Sequence, residues 1–192
     1  MEKFFDVIDK IAGAISWIVL RIAILLTAIM TITVIIGVFF RYILQNPLGW
    51  TETLARYLMI WGALLAVSVG IRDKEHVGLT FVVNRLPIKL ARVVNFITGI
   101  IILVFLYELT TRGWRMALNG MEQQSLALGI SMFWPLVSVP VTGALAILQQ
   151  IFHMILTFDP RKSHKDIFGE TEVDEALKEA KKVKKVSLDE IN

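Results

Sequence analysis

Four apolar runs, each close to the length that crosses a lipid bilayer, constrain this 192-residue chain more than any other feature of its sequence. A hydrocarbon core of about 30 Å is spanned by roughly 20 residues at the helical rise of about 1.5 Å. Runs at about 18–40, 54–71, 91–109 and 130–156 fit that length, each bounded by charged or turn residues. With no water in the hydrocarbon, backbone N–H and C=O groups have to be satisfied within the segment, so the runs are predicted as helices. The second is the shortest and carries Arg56 inside it. Composition points the same way: 55% of residues are hydrophobic and 19% charged, more apolar than an ordinary soluble domain. The fold class expected is an all-α membrane protein with four transmembrane helices.

Charge placement orients those helices. Of the 20 Lys and Arg residues, 16 precede or flank the first run, separate the second from the third, or follow the fourth. The opposite loops hold Arg41, Arg112 and Arg115, while Arg56 lies within a run. Short loops rich in Lys and Arg stay on the cytoplasmic side, so both termini are expected in the cytoplasm. Trp17 marks the inner boundary, whereas Tyr42, Trp50, Tyr57, Trp114 and Trp134 gather near the outer one. Trp61 is the exception, deep in the second run. The basic residues flank apolar runs instead of clustering on a soluble face, which argues against nucleic acid as a partner.

Three regions follow: an interfacial amphipathic helix at 1–16, a transmembrane domain at 17–158 and a charged cytoplasmic tail at 159–192. In the first, Phe4, Ile8, Ile11 and Ile15 recur at helical spacing opposite Glu2, Lys3, Asp6, Asp9 and Lys10. Acidic residues at 2, 6 and 9 disfavour a cleaved signal peptide, so the first span is expected to remain as an anchor. Past Asp159-Pro160 the chain turns polar. Val173, Leu177, Ala180 and Val183 fit one face of a short helix there, although a solvated tail is the plainer reading.

Residues able to carry chemistry are sparse. The absence of cysteine excludes a disulfide, a thiolate metal site, an iron–sulfur cluster and a cysteine nucleophile. His76 falls in a loop, His153 at a helix end and His164 in the tail, so no intramembrane His pair is available to a haem. Ser68, Ser131 and Ser138 have no spanning His or Asp to serve as a base. No catalytic, cofactor-binding or metal residue is therefore expected, and no enzyme.

Charges in hydrocarbon cost about 3 kcal/mol each on insertion scales, which makes them the first residues to weigh. Glu52 with Arg56 and Glu108 with Arg112 are each four apart and form candidate ion pairs. Arg41 ends the preceding run on the same side as Glu52 and is a further candidate for a pair or a subunit contact. Arg21 and Arg92 lie near enough to the cytoplasmic face to snorkel. The helix middles are otherwise nearly free of titratable groups. A proton-coupled carrier wants an unpaired carboxylate or His at a cavity, and a sodium carrier often wants broken helices at mid-membrane. Pro135 and Pro140 interrupt only the outer half of the fourth run, as a kink does. Gly62 with Ala66, and Ser138, Thr142 and Ala146, have the spacing of close helix contacts.

Longer motifs carry a family resemblance. Gly37-Val38-Phe39-Phe40-Arg41-Tyr42, then Asn46-Pro47-Leu48-Gly49-Trp50-Thr51-Glu52, then Ala55-Arg56-Tyr57 and Trp61, resemble the small membrane subunit of tripartite ATP-independent periplasmic (TRAP) transporters. Gly70-Ile71-Arg72, Glu75-His76-Val77 and Asn84-Arg85-Leu86-Pro87 are similar to its cytoplasmic loop. Ser125-Leu126-Ala127-Leu128-Gly129-Ile130, followed by Trp134 and Pro140, is similar to its closing motif. The likeness covers about residues 17–156. Where the family often has a second acidic residue, Thr51-Glu52-Thr53 leaves one carboxylate for Arg56.

The resemblance implies a DctQ-like, Q-type subunit in the bacterial inner membrane. Such a subunit packs beside a large multi-span permease, which holds the sodium and substrate sites and moves as an elevator, while a periplasmic binding protein delivers the solute. It implies secondary active symport of a carboxylate-bearing solute, of the C4-dicarboxylate or sialic acid class, with this chain as scaffold and with membrane lipid as a further partner. Arg41, Glu52 and Arg56 would brace the outer end. Arg112, Arg115, Glu122, Gln123 and Gln124 would offer a docking surface to the binding protein, and Arg72 with His76 would order the cytoplasmic loop. The competing readings are an independent homo-oligomeric carrier or channel, and a membrane anchor with no cofactor of its own.

Overall fold

A computed structural model describes residues 2–73 and 87–158, and these are almost entirely helical. Helix α1 runs Glu2–Tyr42, α2 Gly49–Asp73 and α3 Ile88–Asn119. A 3-10 turn at Gly120–Glu122 follows, then the short α4 at Phe133–Leu136 and finally α5 at Ser138–Thr157. With α4 and α5 taken together, four stretches are long and apolar enough to cross a bilayer. The chain is an all-α, multi-pass membrane protein. The loop motif around His76 and the tail beyond Phe158 lie outside the described residues.

α1 packs along α2, α2 along α5 and α5 along α3; α1 also touches α5 over a shorter stretch. No comparable seam joins α3 to α1 or α2, so the helices form an open array with α1 and α3 at its edges. Burial follows this order. Within each most apolar window, 11% of α1 and 17% of α3 is buried, against 33% for α2 and for the α4–α5 stretch.

Small residues set both main seams. Without a hydrophobic driving force in lipid, helices associate where backbones approach closely. A Cβ on Gly37 would stand 2.7 Å from Thr51 Oγ1, so α1 meets the start of α2 there only because residue 37 is glycine. Further along, Gly62 faces Thr27, and Val19 and Ala23 pack with Leu65 and Val69. Between α3 and α5, Asn95 meets Thr157, Gly99 meets Met154, Leu106 meets Ala146 and Gly113 meets Val139. Numbers rise on one helix as they fall on the other, so these neighbours are antiparallel. Ser138, Thr142 and Ala146 are all buried, as their spacing predicts, whereas Ala66 is exposed and leaves Gly62 alone in its seam.

Several element boundaries differ from the apolar runs, because hydropathy measures the fit to lipid and helix propensity does not stop at a charge. Residues 2–16 are continuous with the first span, and α1 is 41 residues, about 60 Å long. Its buried line runs through Ile8, Ala12, Ser16, Val19 and Ala23, leaving Phe4 and Ile11 exposed. The expected face of Phe4, Ile8, Ile11 and Ile15 is therefore shared between a helix contact and the surroundings. α2 starts at Gly49, so Arg56 lies in its first turns and the helix is amply long. α3 continues through Arg112 and Arg115 to Asn119. The fourth stretch is divided at Val137, with Pro135 and Pro140 each in a first helical turn, where the missing N–H has no partner to lose. Ser138 Oγ donates to the Pro135 carbonyl at 2.6 Å across the division.

Candidate functional site

Arg41, Glu52, Arg56, Glu108, Arg112 and Arg115 lie toward one end of the array, in two separate groups. On the α1–α2 side, Glu52 and Arg56 pair at 3.0 Å, with both side chains well exposed. Their i, i+4 spacing on the first turns of α2 puts them on one face. Arg41, Glu52 and Thr51 line a groove of about 240 Å³ between the end of α1 and the start of α2. Thr51 is buried and its hydroxyl donates to the Leu48 carbonyl at 2.9 Å, which caps the turn entering α2.

On the α3 side, Arg112 Nε donates to Glu108 Oε2 at 2.8 Å. Arg112, Arg115 and Gln123 line a cavity of about 500 Å³ with Asn119 and Gly120; Glu122 and Gln124 are exposed but do not line it. The following loop is tightly built. Ser125 N–H donates to the Ile130 carbonyl at 2.9 Å, Met132 N–H to the Gln123 carbonyl at 2.9 Å, and Gly129 N–H to the Ser125 carbonyl at 2.8 Å. Gly129 takes a φ of +66°, the left-handed conformation that glycine adopts without strain. Leu126 is fully exposed at the tip of this closed loop. The α backbone of Arg72 belongs to α2, but its side chain and all of His76 lie outside the described residues.

Sequence reasoning overlooked the uncharged polar groups inside the array. Gln149 is 2% exposed; its amide donates to the Ala12 carbonyl at 3.2 Å, tying α5 to the N-terminal part of α1. Gln150 on the adjoining face is buried beside Gly99 of α3, and Asn95 donates to Thr157 Oγ1 at 3.1 Å. The signal was the Gln149-Gln150 pair in a run of apolar residues, which a search for titratable groups passes over. Trp61 is explained too: its indole N–H donates to the Trp134 carbonyl at 3.0 Å, at the divided helix. Tyr57 reaches Met132 Sδ beside it, at 3.0 Å. These bonds fasten helices together and assemble no nucleophile with a base.

Comparison with known proteins identifies what this arrangement belongs to. Residues 30–159 match the family of tripartite ATP-independent periplasmic transporters, DctQ component. A Haemophilus influenzae protein provisionally named a TRAP transporter small permease is 29% identical over 135 residues, covering 68% of this chain and 84% of that protein. The sialic acid TRAP transporter small permease protein SiaQ of Vibrio cholerae is 30% identical over 111 residues, 58% of this chain and 64% of SiaQ. The sialic acid TRAP transporter permease protein SiaT of Haemophilus influenzae is 28% identical over 124 residues; the match takes in 65% of this chain but spans only 20% of SiaT. The family match begins within α1 and extends past α5, so the two charged groups, the closed loop and both glutamines all fall inside it. The chain is a transport component and no enzyme: it belongs to the DctQ family of small permease subunits of TRAP transporters.

Proposed function

We propose that this small permease chain is the scaffold of a sodium-coupled, binding-protein-dependent importer in the bacterial inner membrane, with both termini cytoplasmic. The substrate and sodium sites belong to a large permease partner, whose transport domain moves past the static part that this chain holds. The observation that carries the reading is the open array. Its edge helices α1 and α3 are mostly unburied and present long apolar flanks to a lateral partner, while the buried glutamines and Asn95 face neighbouring helices. The matches to SiaT and to the isethionate TRAP transporter permease protein DctMQ of Oleidesulfovibrio alaskensis, of which this chain spans only 20% and 16%, support a much larger permease component beyond this chain.

In this reading Arg41, Glu52 and Arg56 brace the outer end of the scaffold. Arg112, Arg115, Glu122, Gln123 and Gln124 face the periplasmic binding protein, with Leu126 projecting beside them. Arg72 and His76 order the cytoplasmic loop. The N-terminal turns of α1 lie at the inner interface, with the exposed Phe4 and Ile11 toward lipid and Ile8 on the buried side. The cargo is a carboxylate-bearing solute of the C4-dicarboxylate or sialic acid class.

Uptake into proteoliposomes tests this, with the chain alone, the large permease alone and the two together, each with the matching binding protein and with or without a sodium gradient. Sodium-dependent uptake by the pair only is the expected result. Uptake by this chain alone would establish the independent carrier instead. A sulfonate such as isethionate taken up in preference to carboxylates would overturn the cargo class.

A further inference from the structure

Two cavities at the C-terminal end of α3 form one groove with two chemistries. One part, about 500 Å³, is lined by Arg112, Arg115, Asn119 and Gln123. The other, about 380 Å³, is lined by Phe105, Leu109, Gly113 and Val139, with Glu108 at its edge held by Arg112. Arg112 and Met116 line both, so the two parts adjoin at these side chains. Their order along α3 matters. Phe105 and Leu109 lie one to three turns closer to the middle of the span than Arg112 and Arg115, at about 5.4 Å per turn. The wall thus changes from apolar to basic in the direction in which a lipid changes from acyl chain to phosphate.

Gly113 makes the floor of the apolar part. A Cβ there would stand 2.7 Å from Val139 Cγ1, a branched side chain that cannot swing aside, so the α3–α5 approach beneath the groove depends on glycine. Charge is unbalanced at the basic end. Glu108 is engaged by Arg112 at 2.8 Å, and no carboxylate among the described residues pairs with Arg115. Along the groove lining two guanidiniums therefore face one carboxylate, Glu122 being exposed and outside the lining. Trp114, about half exposed, stands next to this end, as aromatic residues do at a membrane–water boundary.

We infer that the groove seats one anionic phospholipid from the leaflet at the C-terminal end of α3. Its phosphate lies toward Arg115 and Arg112, and one acyl chain runs along Phe105, Leu109 and Val139. Charge complementarity selects this occupant. An apolar helix would leave Arg115 against an apolar surface, and a free phosphate would leave the apolar part unfilled. The inference needs only the multi-pass character of the chain; it engages Arg112 and Arg115, so a bound lipid and a docked binding protein would compete for these two side chains.

Native mass spectrometry of the full chain, released from vesicles containing equal parts of phosphatidylglycerol and phosphatidylcholine, tests the site. One retained phosphatidylglycerol per chain is expected, favoured about fivefold for each unneutralised basic residue near the surface. Arg115→Gln removes the preference and Arg115→Lys keeps most of it, with thermal unfolding unchanged in both because residue 115 is exposed. Leu109→Trp, which fills the apolar part without altering charge, lowers retention. Equal retention of the two lipids, identical behaviour of the Gln and Lys variants, or displacement by millimolar glycerol 3-phosphate would each overturn the proposal.

Discussion

At the scale of single residues, the largest fully enclosed side chain among the described residues is uncharged. The Glu52–Arg56 pair is exposed, and an exposed i, i+4 pair is worth about 0.3–0.5 kcal/mol. Gln149 is enclosed, and its environment constrains what can replace it. Its Nε2 donates to the Ala12 carbonyl, while its Oε1 is buried with no hydrogen-bond partner. Interhelical side-chain bonds in membrane proteins average about 0.6 kcal/mol, and removing an unsatisfied acceptor recovers part of its desolvation cost. Gln149→Leu should therefore shift thermal stability by less than about 1 kcal/mol, while hydrogen exchange in α1 near Ala12 accelerates. Gln149→Glu, nearly the same shape, would have to bury a carboxylate or hold it protonated and should destabilise the chain by several kcal/mol. Equal unfolding temperatures for the two variants would show that this contact is not enclosed.

At the scale of elements, the informative feature is the division between α4 and α5. Pro135 and Pro140 were readable as a break, but the role of that break was not, since it exposes the Trp134 carbonyl to Trp61, 73 positions away in sequence. Substituting Trp61→Phe keeps an aromatic ring, smaller by the pyrrole, and removes the donor. The expected loss is about 1 kcal/mol, the net worth of a hydrogen bond between uncharged groups, with a change in the fluorescence of the remaining tryptophans as α4 loosens. An unchanged melting curve would mean that the indole donor contributes nothing to joining α2 and α4. The helix ends teach a related lesson. Arg112 and Arg115 were assigned to a loop because apolar counting stops at charge, yet i, i+4 pairing of Glu108 with Arg112 supports continuation of α3 beyond the run.

At the scale of the whole molecule, the array rather than any one helix is the functional object. Its order of α1, α2, α5 and α3 leaves two edges uncovered, which suits a subunit that widens a membrane scaffold. The chain contains no cysteine, so engineered pairs report proximity without background. Leu106→Cys with Ala146→Cys, across the α3–α5 seam, should cross-link within one chain, whereas Val19→Cys with Leu106→Cys, on the two edge helices, should not. Efficient intramolecular cross-linking of the edge pair would mean a closed bundle and would remove the argument for lateral flanks.

The sequence by itself determined that this chain crosses a membrane in four helices, where most of the charge lies and which family it resembles, because run length, charge and motif order are local properties. It also marked Ser138, Thr142 and Ala146 as contact positions, since small residues four apart share a helix face. Only the tertiary structure decided that α1 and α3 stand at the edges, that Ala12 meets Gln149, and that the cavities lined by Phe105 and by Arg115 adjoin at Arg112 and Met116. The reason is physical. In lipid an apolar side chain gains little by meeting another helix instead of an acyl chain, so hydropathy cannot say which helix is the neighbour. That choice falls to backbone approach at residues such as Gly37 and Gly113 and to polar bonds between helices distant in sequence.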